Sequence, residues 1–324
     1  MKVRYSYLRQ QFSNCEDLWR DLKKFVATGD FTLGKELIKF EKKFAKLIGT
    51  KYAIGVNSGT DAIKLSLKSI GIKPGDEVIT AANTFVATVG AITELGAIPK
   101  FVDCDDTFCM NVDQVEEKIS KKTKAIVPVH FTGYMTNMLK LKKLTKKYNL
   151  PIVEDACQSI LGAINNKNAG TWGTTGAFSL HPLKNINVWS DGGIITTDSK
   201  KHYENIKLLR NHGLLDRDTV KINGYNSRLD TFQAVVGNWL LPKSKAIASK
   251  RIQNAKYFDK NLSKINQINI PPRPKNFKIV FHLYIVFAEK RDQLYKYCLK
   301  KGIEAKIHYP KPMYLQESLK YLGH

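Results

Sequence analysis

From residue 33 onward, apolar positions spaced every three or four residues alternate with short, nearly continuous apolar runs. In 33–48, Leu37, Phe40, Phe44, Leu47 and Ile48 fall on one helical face. KYAIGVNSG then reads as a strand that stops at a turn, and TDAIKLSLKSIG as a helix ending at Gly71. The alternation continues with the strand DEVITAA, the helix TFVATVGAITELG, the strand IPKFVDCD and the helix NVDQVEEKISKKT. The strand KAIVPVHF, the helix MLKLKKLTKKYN and the strand PIVEDACQ follow. Strands that are apolar throughout, each followed by a helix, predict an α/β fold with a mostly parallel, doubly covered sheet.

The pattern changes after residue 176. GAFSLHP and GGIITTD are two short strands flanking a loop that contains Lys184. A long helical region from about Asp230 to Leu262 is broken near Pro242. The proline-rich connector PPRPKNF (271–277) leads to a strand KIVFHLYIVFA, a helix RDQLYKYCLKKG and a strand IEAKIHYP. This predicts a large domain over residues 1–235, and a linker helix with a smaller α+β domain over 236–324. The N-terminal segment is expected to pack toward the small domain.

Composition alters this picture little. Hydrophobic residues make up 43% and charged residues 25% of the chain, values ordinary for a globular protein. No apolar run approaches the length of a bilayer span, and MKVRYSYLRQQFSN lacks the apolar core and cleavage site of a signal peptide. The five cysteines are scattered without a C-x-x-C pair, which argues against a disulfide framework and for a reducing cytoplasm. Net charge is +23. The excess is carried by lysines on polar helix faces rather than by arginine, the usual base reader, so nucleic acid is not expected as a partner. The histidines form no metal-binding spacing, and no metal is expected.

Four stretches carry candidate chemistry. In NSGTDA (57–62) a strand ends, small residues turn and a helix begins. Free N–H groups and the helix dipole suit a phosphate there, although an ordinary capped helix start would look the same. In PIVEDACQS (151–159) an apolar strand ends at Glu154 and Asp155, on the edge where open α/β sheets bind ligands. A carboxylate at that place could hold a proton on a ring nitrogen or merely cap the next segment. In AFSLHPLKNINVWSDGG (177–193), Lys184 lies among apolar neighbours. A desolvated lysine loses pKa and can form an imine with an aldehyde, whereas a snorkelling lysine would do neither. Ser179 offers a hydroxyl near the same phosphate. GYNSRLD (224–230) is a loop that precedes a long helix. Phosphate cradle, carboxylate and imine lysine, in that order, describe a pyridoxal 5′-phosphate (PLP) site.

The motifs FTLGKELIKFEKKFAKLIG, NSGTDAIKLSLKSIGIKPGDEVIT, NTFVATVGAI, VEDACQSILGA, AFSLHPLKNINVWSDGGIITT, RNHG, GYNSRLDTFQAVVG and HYPKPMYLQ resemble the DegT-type sugar aminotransferases, a branch of fold-type I PLP enzymes. The resemblance runs from about Phe31 to the chain end. It implies a large PLP-binding domain, a smaller α+β domain and a homodimer with shared sites. It also implies residue roles. Lys184 would be the Schiff-base lysine, Asp155 the pyridinium partner and Gln158 the residue bonded to the cofactor's phenolic oxygen. Phe85 would stack on one ring face and Cys157 pack near the other. Gly59, Thr60, Asp61 and Ser179 would form the phosphate cup, and Asn226 would reach the phosphate bound by the neighbouring subunit. His308 and Tyr309, with Arg210 and Arg228, fall near substrate positions. Lysine rather than histidine at 184 implies transamination rather than sugar dehydration. The motifs FSLHPLKNINVW, NHGL and GYNSRLD are most similar to those of enzymes making 8-amino-3,8-dideoxyoctulosonate. That similarity implies glutamate as donor and 8-oxo-3-deoxyoctulosonate as acceptor, with a nucleotide-linked keto-hexose as the alternative. Two departures stand out: Ser190 replaces a glycine in WSDGG, and the ending LKYLGH predicts an incomplete small domain.

Overall fold

The frame of the molecule is a seven-stranded sheet, seen in a computed structural model that describes residues 2–323. Its strands are β1 (Tyr52–Val56), β2 (Glu77–Ala81), β3 (Ile98–Val102), β4 (Thr123–Val127), β5 (Val153–Asp155), β8 (Thr175–Ser179) and β9 (Gly193–Thr197). Two-residue strands β6 (Ala163–Ile164) and β7 (Lys167–Asn168) form a hairpin beside it. One ladder has the order β1-β9-β8-β5 and another β3-β2-β4. Parallel bridges Ile126–Ile152 and Val129–Asp155 join them, giving the order β1-β9-β8-β5-β4-β2-β3. Only β9 runs against its neighbours. The alternation read from the sequence thus holds, and the α/β architecture with mixed parallel and antiparallel pairing is that of a fold-type I PLP enzyme.

The sheet is covered on both faces. One face carries α2 (Glu16–Val26), α3 (Lys35–Ile48) and α8 (Thr231–Leu240), with Leu18, Leu37, Phe40, Phe44 and Val236 fully enclosed. The other carries α4 (Gly59–Ser69), α5 (Val86–Thr93) and α7 (Lys200–Leu209), with Ile54, Ile63, Leu65 and Ile92 in its core. This two-sided burial explains why β8 and β9 lack polar alternation: every residue in both is buried.

Three expectations need correction. NVDQVEEKISKKT forms two short 3₁₀ turns, Val112–Gln114 and Glu116–Lys118, rather than a helix. Val112 and Val115 are its buried pair, and their i,i+3 spacing is the 3₁₀ repeat. KIVFHLYIVFA is not one strand. Only β11 (Phe277–Lys278) and β12 (Phe287–Ala288) pair, with β6 and with β10 (Ile268–Asn269). Between them the backbone is tied to the Phe131–Gly133 turn and to side chains. IEAKIHYP makes a single bridge, Ile303 to Val3.

The boundary expected at 235/236 falls inside α8, a helix buried against α3. Beyond the break at Leu241–Lys243, α9 (Ser244–Leu262) leads into the C-terminal part, which contains α10 (Arg291–Lys300). The break near Pro242 is where the sequence places it.

Candidate active site

Because β1, β2, β5 and β8 run the same way, their C-terminal ends share one edge. After β1, Ser58 caps α4, its hydroxyl accepting the Asp61 N–H at 3.1 Å. The first-turn N–H groups of Gly59 and Thr60 have no helical acceptor and remain open to an anion. Gly59 is required by close approach: a Cβ there would stand 2.6 Å from the Ser179 Cβ and 3.1 Å from the Cys157 Sγ. Glycine at 193 is required for the same reason, since its Cβ would lie 2.1 Å from the Ser58 carbonyl oxygen. The ends of β1, β5, β8 and β9 are thereby pressed into one cup.

Asp61 departs from expectation. Its N–H is taken by Ser58, and its carboxylate accepts from the Ser227 hydroxyl at 2.7 Å and pairs with Lys64 at 3.0 Å. It braces the cup wall and offers a phosphate no free donor. Ser227, which sequence reasoning missed, also accepts the Asn57 N–H at 3.4 Å. It docks the GYNSRLD loop against the cup.

Asp155 ends β5, buried, its backbone held by Pro128 and His130. The Thr88 hydroxyl donates to Oδ2 at 2.7 Å and the Cys157 N–H to Oδ1 at 3.2 Å. Thr84 lies 2.7 Å from Thr88 and extends the chain of hydroxyls. Neither threonine was picked out in the sequence. Their i,i+4 placement on TFVATVGAITELG was the available signal. The oxygens of Asp155 keep acceptor capacity for a further donor.

Lys184 is half-buried in the loop after β8, its N–H donating to the His181 carbonyl at 2.8 Å. Burial pushes its ammonium pKa below the ordinary lysine range, while negative charge at Cys157 and Asp155 would pull it back up. Burial drives the Cys157 thiol well above its usual range, so it is uncharged near neutrality and Asp155 is the effective counter-charge. A desolvated amine facing a buried carboxylate is suited to attack a carbonyl and to carry protons.

Gln158 accepts the Thr132 N–H at 2.7 Å, and its side chain hydrogen-bonds the Tyr309 hydroxyl. Burial raises the Tyr309 phenol to about 12. Its ring lies 6.1 Å from that of Phe85, which caps α5 and stays half-exposed, and 5.8 Å from that of Phe131. His308 meets the Tyr5 hydroxyl at 3.3 Å. The structure therefore brings together Gly59, Thr60, Cys157 and Ser179 in the cup, Asp155 and Lys184 beside it, and Phe85, Gln158 and Tyr309 around them. Asn226 and Arg228 lie apart, lining a polar cavity of about 250 Å³ with Phe31, Asn57 and Asp230. Arg210 is corrected: its buried guanidinium pairs through Nη1 with Glu41 and donates to the Gly55 carbonyl at 2.8 Å, an internal ion pair rather than a substrate contact.

The residues fit PLP. Open N–H groups would suit a phosphate, a carboxylate with acceptor capacity left a protonated ring nitrogen, and an exposed aromatic a ring face. A family model for DegT/DnrJ/EryC1/StrS aminotransferases matches residues 14–323. The chain belongs to that family. It is a PLP-dependent aminotransferase. As a member of the DegT/DnrJ/EryC1/StrS family it is 35% identical to the pleiotropic regulatory protein of Geobacillus stearothermophilus, across 100% of this chain and 88% of that protein. It is also 35% identical to the UDP-N-acetyl-3-dehydro-alpha-D-glucosamine 3-aminotransferase of Acidithiobacillus ferrooxidans, across 96% and 84%. Among solved structures, DesV of S. venezuelae in complex with a ketimine intermediate superposes with a TM-score of 0.96 at 32% identity, covering 99% of this chain and 87% of that one. NtdA of Bacillus subtilis with bound cofactor PMP gives 0.90 at 31%, covering 100% and 77%. No helix among the described residues is long and apolar enough to cross a membrane.

Proposed function

We propose that this aminotransferase takes its amino group from glutamate and delivers it to the oxo group of a nucleotide-linked 3-oxo-hexose. The observation that carries the amino-transfer chemistry is the half-buried Lys184 amine beside the buried Asp155 carboxylate at one sheet edge. The acceptor reading is supported by relatives named for 3-dehydro, 3-amino or 3-oxo sugars, including two dTDP-linked sugar transaminases from Micromonospora megalomicea and Aneurinibacillus thermoaerophilus. The donor is supported by the 3-oxo-glucose-6-phosphate:glutamate aminotransferase of Bacillus subtilis. The resemblance to octulosonate enzymes rests on the motifs FSLHPLKNINVW, NHGL and GYNSRLD, with Arg210, Arg228 and His308 as added charge for an acidic sugar. With Arg210 committed to Glu41, the charge argument loses one of those groups.

When bound, PLP supplies an aldehyde for the amine and a ring that withdraws electrons from the substrate carbon. In this reading Lys184 Nζ would hold the cofactor, and its amine would carry the proton to and from the substrate carbon. Asp155 keeps the ring nitrogen protonated, and Thr88 and the Cys157 N–H hold its carboxylate in place. Gly59, Thr60 and Ser179 receive the phosphate, while Phe85 and Cys157 flank the ring. Gln158 faces the phenolic oxygen, and Tyr309 and His308 face the sugar. Arg228, beside Asn226 in the separate cavity, would reach the sugar of a second copy. Asn226 would serve the phosphate bound by a second copy, which makes the working unit a homodimer, and the scattered cysteines without a disulfide framework support a cytoplasmic setting. Steady-state assays with glutamate and each oxo-sugar test the reading. Turnover of the nucleotide-linked 3-oxo-hexose supports it. Turnover of 8-oxo-3-deoxyoctulosonate alone overturns the acceptor and keeps the aminotransferase.

A further inference from the structure

The segment Val280–Leu283, expected as a strand, is instead an irregular stretch, buried at Val280 and Phe281 and half-buried at His282 and Leu283, pressed against the active site. Gly133 touches it so closely that a Cβ there would lie 2.5 Å from the Phe281 nitrogen. The Leu283 N–H donates to the Thr132 carbonyl at 3.2 Å, and Thr132 is the residue bonded to Gln158. The Asn185 side chain, next to Lys184, donates to the Val280 carbonyl at 3.2 Å. Departure from strand geometry thus delivers the His282 side chain to the neighbourhood of Lys184.

Two polar groups here lack partners. His282 Nδ1 is buried with no hydrogen bond. Arg251, on α9, uses Nη1 to hold the Phe281 and His282 carbonyls at 3.0 and 3.1 Å. Its Nε is buried and unpartnered, and it has no carboxylate partner among the described residues. The Nε–Nη2 edge of a guanidinium is one a carboxylate takes side-on through two parallel bonds. A buried donor left unpaired costs about 1–3 kcal/mol, a cost a ligand would remove.

The charges facing His282 are those of Lys184, Arg251, His308 and His181, from the β8 loop, α9 and the C-terminal segment. Burial, then these cations, hold its pKa well below the ordinary imidazole range, leaving it neutral with one N–H to donate. Neither nearby carboxylate pairs with Arg251 or His282. Asp155 bonds Thr88, and Glu304 accepts the Tyr5 N–H at 2.8 Å and faces Lys2. Tyr5 joins the same ring of groups, since Arg251 acts on its phenol and His308 bonds its hydroxyl. A guanidinium whose Nε lacks a partner, next to a neutral imidazole that Lys184 faces, suits an anion with two coplanar oxygens.

We infer that Arg251 and His282 seat a carboxylate of the amino donor beside Lys184. The inference deepens the reading of the chain as a glutamate-using aminotransferase and rests on it. The test is calorimetric titration of the holoenzyme with glutarate, an unreactive dicarboxylate, alongside the single-turnover half-reactions with glutamate and with the amino-sugar product. Arg251→Lys keeps the charge and removes the fork. His282→Phe removes the donor and His282→Gln retains one. Arg251→Lys and His282→Phe should each weaken glutarate binding about tenfold or more, the loss of one charge-assisted hydrogen bond. His282→Gln should recover part of the loss, and the amino-sugar half-reaction should stay within about threefold, a difference of well under one hydrogen bond. If Arg251→Lys does not fold, the His282 pair carries the test. Glutarate affinity unchanged in the variants, equal loss in both half-reactions, or no glutarate binding by wild type would overturn the inference. Glutarate binding by an enzyme that glutamate does not aminate would instead refute the donor reading.

Discussion

Glu154 and Asp155 are neighbours on β5, both buried carboxylates, yet they have opposite fates. Strand geometry sends them to opposite faces. Glu154 is saturated: the Gly170, Trp172 and Gly173 N–H groups donate at 2.9, 2.6 and 2.7 Å, and His130 Nε2 lies at 2.9 Å. The Thr136 N–H donates to His130 Nδ1 at 3.3 Å, so the ring proton sits on Nε2 and points at Glu154. Asp155 receives the Thr88 hydroxyl and the Cys157 N–H, with the Cys157 thiol as a weak third partner, and faces the Lys184 side. A carboxylate whose acceptor sites are filled by its own fold holds structure. One with capacity left over, beside a desolvated amine, is available for chemistry.

The sharpest way to separate the two regions is through the amine that only Asp155 addresses. Lys184→Ala should reduce turnover by about 10⁴-fold or more, because it removes both the nucleophile and the proton carrier, with thermal stability preserved. Near-wild-type steady-state turnover would refute its role. Next comes the pair itself. Asp155→Ala should cost roughly 10³-fold in rate by switching off the charge on the ring nitrogen. Glu154→Gln should instead lower stability by about 3 kcal/mol, read from denaturant unfolding, since buried N–H groups lose their charged acceptor. Its folded fraction should keep turning over. A Glu154 variant that unfolds normally but loses activity would reverse the comparison.

The sequence made this pair visible but not its asymmetry. IVED announces a strand end, and an apolar context makes Asp155 and Lys184 candidates. A capping carboxylate or a snorkelling lysine would look the same, and their roles come from the order of the motifs and the family resemblance. The sheet, too, was legible because both faces are buried and the strands read as continuous apolar runs. What stayed hidden depends on tertiary placement. Arg210 looked free in RNHG, but its partner Glu41 lies 169 positions away in sequence. Helix α2 was passed over although Leu18, Leu22 and Phe25 mark its face, because its flanks are dominated by charge. Val280–Leu283 has the composition of a strand. Ties to Gly133, Asn185 and Arg251 hold it in another shape, and no local propensity encodes those ties.

Smaller effects sharpen the account further. Thr88→Val leaves Asp155 with one fewer donor and should lower the rate about tenfold, the worth of one hydrogen bond to a charged group. It should not alter cofactor stoichiometry measured by absorbance. An unchanged rate would show that the Cys157 N–H suffices. Removing the Asp155 charge also removes what holds the Lys184 pKa up against burial. In apo Asp155→Ala, Lys184 should therefore titrate lower still, and its amine-selective labelling should begin at lower pH than in wild type. Labelling that begins at the same or higher pH would contradict that coupling.

The most direct test of the central claim is borohydride reduction of the holoenzyme followed by peptide mass mapping. The account predicts a single pyridoxyl adduct on Lys184, in the peptide containing HPLKN. An adduct on any other lysine, with Lys184 unmodified, would contradict it.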